Sequence, residues 1–492
     1  IMVSQEERSL TDTLIDPENL DNPDGQWTKG EKQPTQCRDA WAALLFYAQF
    51  IAIAVVAGML GVPAVQKATD GSGSYQNSNS TVDYTGLLYA SLIAGGCSFG
   101  FSALSLFVMS MCPKVLIQIS LLFSLVISLL MVVISFYYQN IVGGIFGLVF
   151  FLISCCYACA VWKRIPFAAA NLNTGLTAVK KNAGVIVVAY FITLLSFFYS
   201  MLWMTALVGV YDKEGLCDTT VTNNSTTTTC SGNLAWGYFF LLLLAFFWTE
   251  QVFQNTIHVT IAGVVSTWWF APEDAGSCCS VAIKDSFVRA TTTSFGSICF
   301  GSLLVAIIQT LRAMVEMARS DNDQDACAAF LLCLVDCLLR CLEDALEYFN
   351  KYAYIYVGMY GYSYLEAGKN VMTLFSQKGW SIIISDNLIS NVLSLFSLLI
   401  GCLTGCVGLI LNEINPEWFE GYSGAAMGVA FGFSFLIGLV ISAILLSVVD
   451  SSVNTVLVSF AEAPAEFEEN HPELSSEMRD AWRLVYPAEC GF

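Results

Sequence analysis

The sequence predicts an all-α, polytopic helical membrane protein with about ten transmembrane helices. Three observations carry this. Of 492 residues, 56% are hydrophobic and 12% charged, whereas a soluble chain of this length carries about 25% charged residues. Mean hydropathy is +0.63. The apolar residues gather into runs of about 20, the length a helix needs to cross a bilayer. The net charge of −19 has a local origin. Acidic residues crowd the start (Glu6, Glu7, Asp12, Asp16, Glu18, Asp21, Asp24, Glu31) and the tail (Glu462, Glu466, Glu468, Glu469, Glu473, Glu477). The chain therefore divides into an acidic cytoplasmic segment (1–39), a transmembrane domain (40–450) and an acidic cytoplasmic tail (451–492), both ends being solvated polar chain. No basic patch exists to bind phosphates, which excludes a nucleic-acid partner. The start has no basic region followed by a short apolar core, so the first apolar helix serves as the targeting signal.

Nine runs read as spans: 41–62, 84–109, 115–137, 141–162, 184–210, 234–269, 286–311, 386–411 and 424–449. Charges blur a tenth within 327–366, where Asp336, Arg340, Glu343, Asp344, Glu347 and Lys351 are costly in hydrocarbon unless they face protein or water. A second reading makes 312–350 an amphipathic surface helix. Lys163, Arg164, Lys180, Lys181, Lys284, Arg289, Lys369 and Lys378 fall in alternate loops, and the positive-inside rule makes those loops cytoplasmic. The opposite loops then hold Asn79, Asn223 and Asn224, each in a glycosylation acceptor pattern. They also hold Cys217 and Cys230, the best disulfide pair on an oxidising face. Ten spans return the acidic tail to the cytoplasm, so parity favours the span within 327–366. Glycines at 143/147, 401/405 and 424/428/432 permit close helix approach.

No phosphate-cradling, zinc-protease or serine-hydrolase motif is present, and His258 and His471 are the only histidines. Acid–base enzymology, metal sites and cofactors are thus poorly supplied, and the chain reads as no enzyme. Most of the 18 cysteines sit in apolar runs as small hydrophobes. The sixth span has the most polar interior: Glu250, Gln254 and His258 recur every four residues, with Gln251 and Asn255 beside them. Such a stripe reads either as hydrogen-bonded helix packing or as a site for a cation or proton.

Leu346 to Lys369 holds seven tyrosines among small residues. Tyrosine joins an apolar ring to a polar tip, which suits a lined path through a membrane. The stretch Phe349-Asn350-Lys351-Tyr352-Ala353-Tyr354, followed by Gly358, resembles a signature of the choline transporter-like family. Gln251–Phe270, Ser294–Arg312 and Phe460–Met478 fit the same family in the same order, over roughly residues 240–480. The amino-terminal half matches by layout alone. The short loop after the first span, about 63–83, looks like the fungal and protist branch.

The resemblance implies transport of choline or a related amine such as ethanolamine, by a facilitative or gradient-driven route. The membrane would be the plasma membrane, with an organellar one as the second reading. A quaternary ammonium has no hydrogen to donate, so aromatic faces and a counter-charge must hold it. Tyr352, Tyr356 and Tyr360, on one helical face, together with Trp268 and Trp269, supply rings; Trp268 and Trp269 also read as interfacial anchors. Glu250, Gln254, Asn255 and His258 supply polarity. The alternative is a non-transporting membrane scaffold or lipid-handling protein of the same hydropathy.

Overall fold

A computed structural model describes residues 36–70, 84–213, 218–222, 225–229, 236–321, 326–419 and 426–485. Asn79, Cys217, Asn223, Asn224 and Cys230 lie outside them, as does nearly all of the acidic segment 1–39. The helices are α1 (Ala40–Val56), α2 (Val62–Asp70), α3 (Tyr84–Met111), α4 (Pro113–Tyr137), α5 (Ile141–Val161), α6 (Ile165–Lys181), α7 (Gly184–Lys213), α8 (Trp236–Phe270), α9 (Val281–Thr291), α10 (Phe295–Asp321), α11 (Ala326–Tyr360), α12 (Tyr364–Ile414), α13 (Ala426–Glu462), α14 (Pro464–Asn470) and α15 (Pro472–Val485). One antiparallel hairpin, β1 (Asp218–Thr222) with β2 (Ser225–Thr229), stands between α7 and α8.

Among the described residues, eight helical stretches are long and apolar enough to cross a membrane. They include α1 running into α2, and α3, α4, α5, α7, α10, α12 and α13. At 35 residues each, α8 and α11 are also long enough; their polar residues dilute the hydropathy. The bonded pairs α8–α13 (258 with 451, 269 with 463) and α11–α13 (352 with 454, 356 with 462) rise together in number. Helices α8, α11 and α13 therefore run parallel, so α12 crosses back between α11 and α13. The stretch 312–350 is divided between α10 and α11 and forms no single surface helix.

The lipid-facing and packed surfaces separate as apolar helices require. Leu44, Ile51, Val142, Phe146 and Phe150 point outward. The largest buried cluster joins α8, α11 and α13 with the final short helices, through Val259, Ile261, Trp269, Tyr352, Tyr354, Val456 and Phe467. Close crossings depend on glycine. Between α1 and α2 the backbone widens into a π turn over Ala57–Gly61, a rare conformation that occurs mostly as a single turn within a helix. This sets Gly61 against the Thr205 carbonyl and Gly209 against the Leu60–Gly61 backbone. In α12, Gly401 and Gly405 take the rings of Phe435 and Phe431, as their spacing predicts, while Gly428 and Gly432 meet open space.

The helices have physical stops and starts. Gly361, with φ 67°, ends α11 in the left-handed conformation that glycine adopts without strain. Two residues later Ser363 and Glu366 form a capping box for α12. Asp39 precedes α1, and its Oδ2 accepts from Ser297 Oγ at 2.7 Å and from the Tyr364 amide at 2.8 Å. One carboxylate thus joins the starts of α1, α10 and α12, where helix dipoles favour negative charge.

The division at 450 falls within α13, whose residues from Ser451 to Phe460 are all buried. Beyond them α14 and α15 pack back on the bundle: Trp482 meets Phe167 of α6 edge-on at 4.9 Å. Acidic composition predicted a solvated tail, but its apolar residues Phe467, Met478, Ala481 and Trp482 are buried.

Candidate functional site

A cavity of about 360 Å³ lies among α8, α10, α11 and α13. Helix α8 contributes Gln251, Gln254, Asn255 and His258, and α13 contributes Ser447, Asp450 and Ser451. From α11 come Asp344, Glu347, Tyr348, Asn350 and Lys351. The spacings 251/254/255/258 and 344/347/348/351 are the three- and four-residue steps of one helix face, which is why each helix delivers its polar residues to the same space.

The walls are fixed by hydrogen bonds. His258 is buried, with Nδ1 2.7 Å from Ser451 Oγ and Nε2 2.7 Å from the Lys351 carbonyl. A carbonyl only accepts, so Nε2 carries a proton and donates to Lys351, while Nδ1 and the serine hydroxyl share the second bond. His258 thereby ties α8 to both α11 and α13. Asn255 Nδ2 donates to Ser302 Oγ at 3.0 Å. Asn350 donates to the Gly301 carbonyl at 2.9 Å and accepts from Tyr364 at 2.6 Å. A Cβ on Gly301 would strike the ring of Tyr364 and the hydroxyl of Tyr354.

Charge is unevenly distributed on this lining. Asp344, Glu347 and Asp450 face a single ammonium, that of Lys351, whose Nζ sits 3.0 Å from Asp450 Oδ2. Glu347 Oε1 accepts from Gln309 at 3.1 Å and from Gln251 at 3.4 Å, so amide donors hold it without cancelling its charge. The surplus of carboxylates favours a cation. Tyr348 contributes the ring, 5.1 Å from that of Tyr352.

The residues expected to form one site are distributed over five places. Gln254, Asn255 and His258 line the cavity. Glu250 points instead toward α7, accepting from Ser196 Oγ at 2.5 Å and Ser200 Oγ at 2.8 Å. Tyr352 is fully buried behind the cavity and donates to Asn454 at 3.4 Å. Tyr356 and Tyr360 donate to the two oxygens of Glu462, the latter at 3.1 Å, beyond the cavity floor. Trp268 and Trp269 lie at the end of α8. Trp269 stacks on Phe467 at 3.8 Å and donates to the Ala463 carbonyl, and Trp268 stacks on His471 at 4.0 Å.

Sequence reasoning missed Glu347, Tyr348, Lys351 and Asp450 as lining residues. A signal for two of them was present: Tyr348 and Lys351 lie four and one residues before Tyr352 on adjoining positions of the same helix. Asp450 ends an apolar run and read as the edge of the membrane domain.

Comparison with known proteins agrees with this architecture. The family described as plasma-membrane choline transporter matches residues 145–465. The chain is 30% identical over 449 residues to Protein PNS1 of Gibberella zeae, covering 89% of this chain and 81% of that one. Against Protein PNS1 of Eremothecium gossypii it is 30% identical over 393 residues, 77% of this chain and 69% of the relative. Protein PNS1 of Saccharomyces cerevisiae is 29% identical over 392 residues, covering 77% and 71%. The match begins well before residue 240, so the amino-terminal half shares more than a layout. From its sequence and its helical architecture, the chain belongs to the choline transporter family.

Proposed function

We propose that this protein carries choline or a related amine such as ethanolamine across a membrane, by alternating access or along a gated facilitative path. The observation that supports this most is the cavity within the helix bundle, where three carboxylates face one ammonium beside the ring of Tyr348. Glu347 is the counter-charge in this reading, in place of Glu250, because Glu250 is engaged by two serines of α7. Gln254 and Asn255 complete the polar wall, and a hydroxyl-bearing amine finds donors and acceptors there. Tyr352, Tyr356 and Tyr360 pack below the cavity and close the end of the bundle that carries Lys163, Arg164, Lys180 and Lys181.

That basic end is cytoplasmic in this reading. The opposite end then carries Asn79, Asn223 and Asn224 as glycosylation acceptors, and Cys217 with Cys230 as a disulfide. The plasma membrane is the membrane of residence that the family description supports.

The test is labelled-choline uptake into proteoliposomes holding the purified protein, with ethanolamine as competitor. Saturable uptake above empty liposomes, competed by ethanolamine, is the expected result. Absence of uptake by folded protein would remove the amine reading and favour the scaffold or lipid-handling role.

A further inference from the structure

Polar contacts join α11 to α13 at successive levels. At the cavity, Lys351 Nζ meets Asp450 Oδ2 at 3.0 Å. One step further along, Tyr352 donates to Asn454. At the basic end, Tyr356 and Tyr360 converge on Glu462. The first contact differs from the others in kind, because it pairs two charges and faces the cavity.

We propose that Lys351 is a tethered stand-in for the transported cation: its ammonium holds Asp450 while the cavity is empty, and an incoming amine displaces it there, loosening the seam between α11 and α13. This inference rests on the amine reading given above. Among the described residues, Lys351 supplies the only ammonium on the lining, and its Nζ reaches Asp450. The two side chains are 21% and 25% exposed, so the pair is partly hydrated and its exchange costs far less than that of a dry ion pair. An ammonium of either kind satisfies Asp450, through charge alone for a quaternary amine and through charge with hydrogen bonds for a primary one.

The geometry also shows where the effect would go. The Lys351 carbonyl accepts from His258, and Ser451, next to Asp450, is hydrogen-bonded to the same imidazole. A shift of α11 relative to α13 therefore changes at least one of the two bonds of His258, which couples this level to the movement of the seam. A ligand moves a conformational equilibrium only by preferring one state. Displacing Lys351 supplies that preference, because the cation that breaks the cross-link binds only where the cross-link is broken.

Lys351→Met removes the competitor and leaves Asp450 open. Choline binding to the purified full chain is measured by radioligand saturation, beside alkylation of Val458→Cys. Val458 is fully buried on α13, four residues from both Asn454 and Glu462 and so on their face of the helix, so its modification reports opening of the seam. The Met variant should bind choline about tenfold more tightly than the parent, a change of the size that one lost competing contact produces. It should also be alkylated faster without choline, while in the parent choline itself should speed alkylation. Lys351→Arg, which keeps a cation, should behave as the parent, and Asp450→Asn should lose saturable binding. Lys351→Gln takes the place of the Met variant if that protein does not fold. Unchanged or weaker choline binding in the neutral variants, with normal binding by the parent, would overturn the stand-in role and leave the amine reading intact. Absence of choline and ethanolamine binding by the folded parent would overturn both.

Discussion

Single side chains decide the electrostatics of the cavity. Glu347→Gln keeps the shape and the amide contacts but removes one of three carboxylates, so choline uptake should fall at least about tenfold, as loss of a cation's counter-charge at membrane depth requires. Tyr348→Ala should raise the apparent KM by about threefold to tenfold, the range of one cation–π contact. Glu250→Gln should change uptake less than Glu347→Gln in the same assay, because Glu250 faces Ser196 and Ser200 and not the cavity. Equal loss in both carboxylate variants would return Glu250 to the site. Gly301→Ala tests packing: its Cβ meets the ring of Tyr364 and the hydroxyl of Tyr354, and overpacking of this kind costs about 1–3 kcal/mol. A lower Tm on thermal unfolding in detergent is the expected outcome. At this scale the sequence was half legible. Gln254 and His258, which recur at four residues, both line the cavity. The same recurrence enlisted Glu250, since helical spacing says which residues share a stripe but not which neighbour each end of the stripe meets.

Elements carry the next set of consequences. Helix α8 ends under the final short helices, where Asn470 Nδ2 donates to the Trp269 carbonyl at 2.9 Å and His471 Nε2 donates to the Trp268 carbonyl at 2.9 Å. These bonds satisfy carbonyls that a helix end otherwise leaves to water. Burial lowers the His471 pKa from its ordinary 6.5, and the nearby Lys181 ammonium lowers it further, against the opposing bond to Trp268. The neutral imidazole is thus the folded form. Its stabilising effect is complete above pH 6.5 and declines as pH falls below that value toward the lowered folded-state pKa. Limited proteolysis of α14 and α15 should accordingly quicken between pH 7 and pH 5, and His471→Phe, which keeps the stack on Trp268, should flatten that pH dependence. Elements were the most legible scale. Eight of the nine apolar runs fall each on one helical stretch, because crossing hydrocarbon leaves few other structures available; the run 286–311 instead covers the end of α9, the break at 292–294 and the first part of α10, which starts at Phe295 and continues to Asp321. Two lengths escaped. Helix α12 begins at Tyr364, far ahead of the apolar run at 386, and α13 continues past 450 to Glu462. Hydropathy marks the part of a helix that meets lipid; the rest is held by protein contacts that composition does not reveal.

For the whole molecule, the parallel course of α8, α11 and α13 is what makes the ten-crossing arrangement consistent. Epitopes placed at residue 1 and residue 492 should be reached from the same side of the membrane, and glycosidase treatment should shift the mobility of the protein through Asn79, Asn223 or Asn224 on the other side. Access to the two epitopes from opposite faces would refute ten crossings. The parity argument from Lys and Arg proposes the same arrangement without contacts, since loop charge is a property of the chain alone. What it lacked was the docking of α14 and α15, where Trp482, Phe467 and Met478 are buried among acidic neighbours. Net charge hid an apolar face there, because charge sums over a segment and burial acts residue by residue.

The shared carboxylate of Asp39 has a consequence in time. Its partners Ser297 and Tyr364 lie 258 and 325 residues downstream. At ribosomal rates of about 5–20 residues per second, the first helix waits on the order of 15–65 s for its last partner to be made. The Asp39 bond to Ser297 can form only once the start of α10 is made, and the bond to the Tyr364 amide only after α11 is complete. A ribosome stalled before Tyr364 would therefore leave the Asp39 carboxylate with Ser297 but without the start of α12, so the three-helix junction closes late in synthesis.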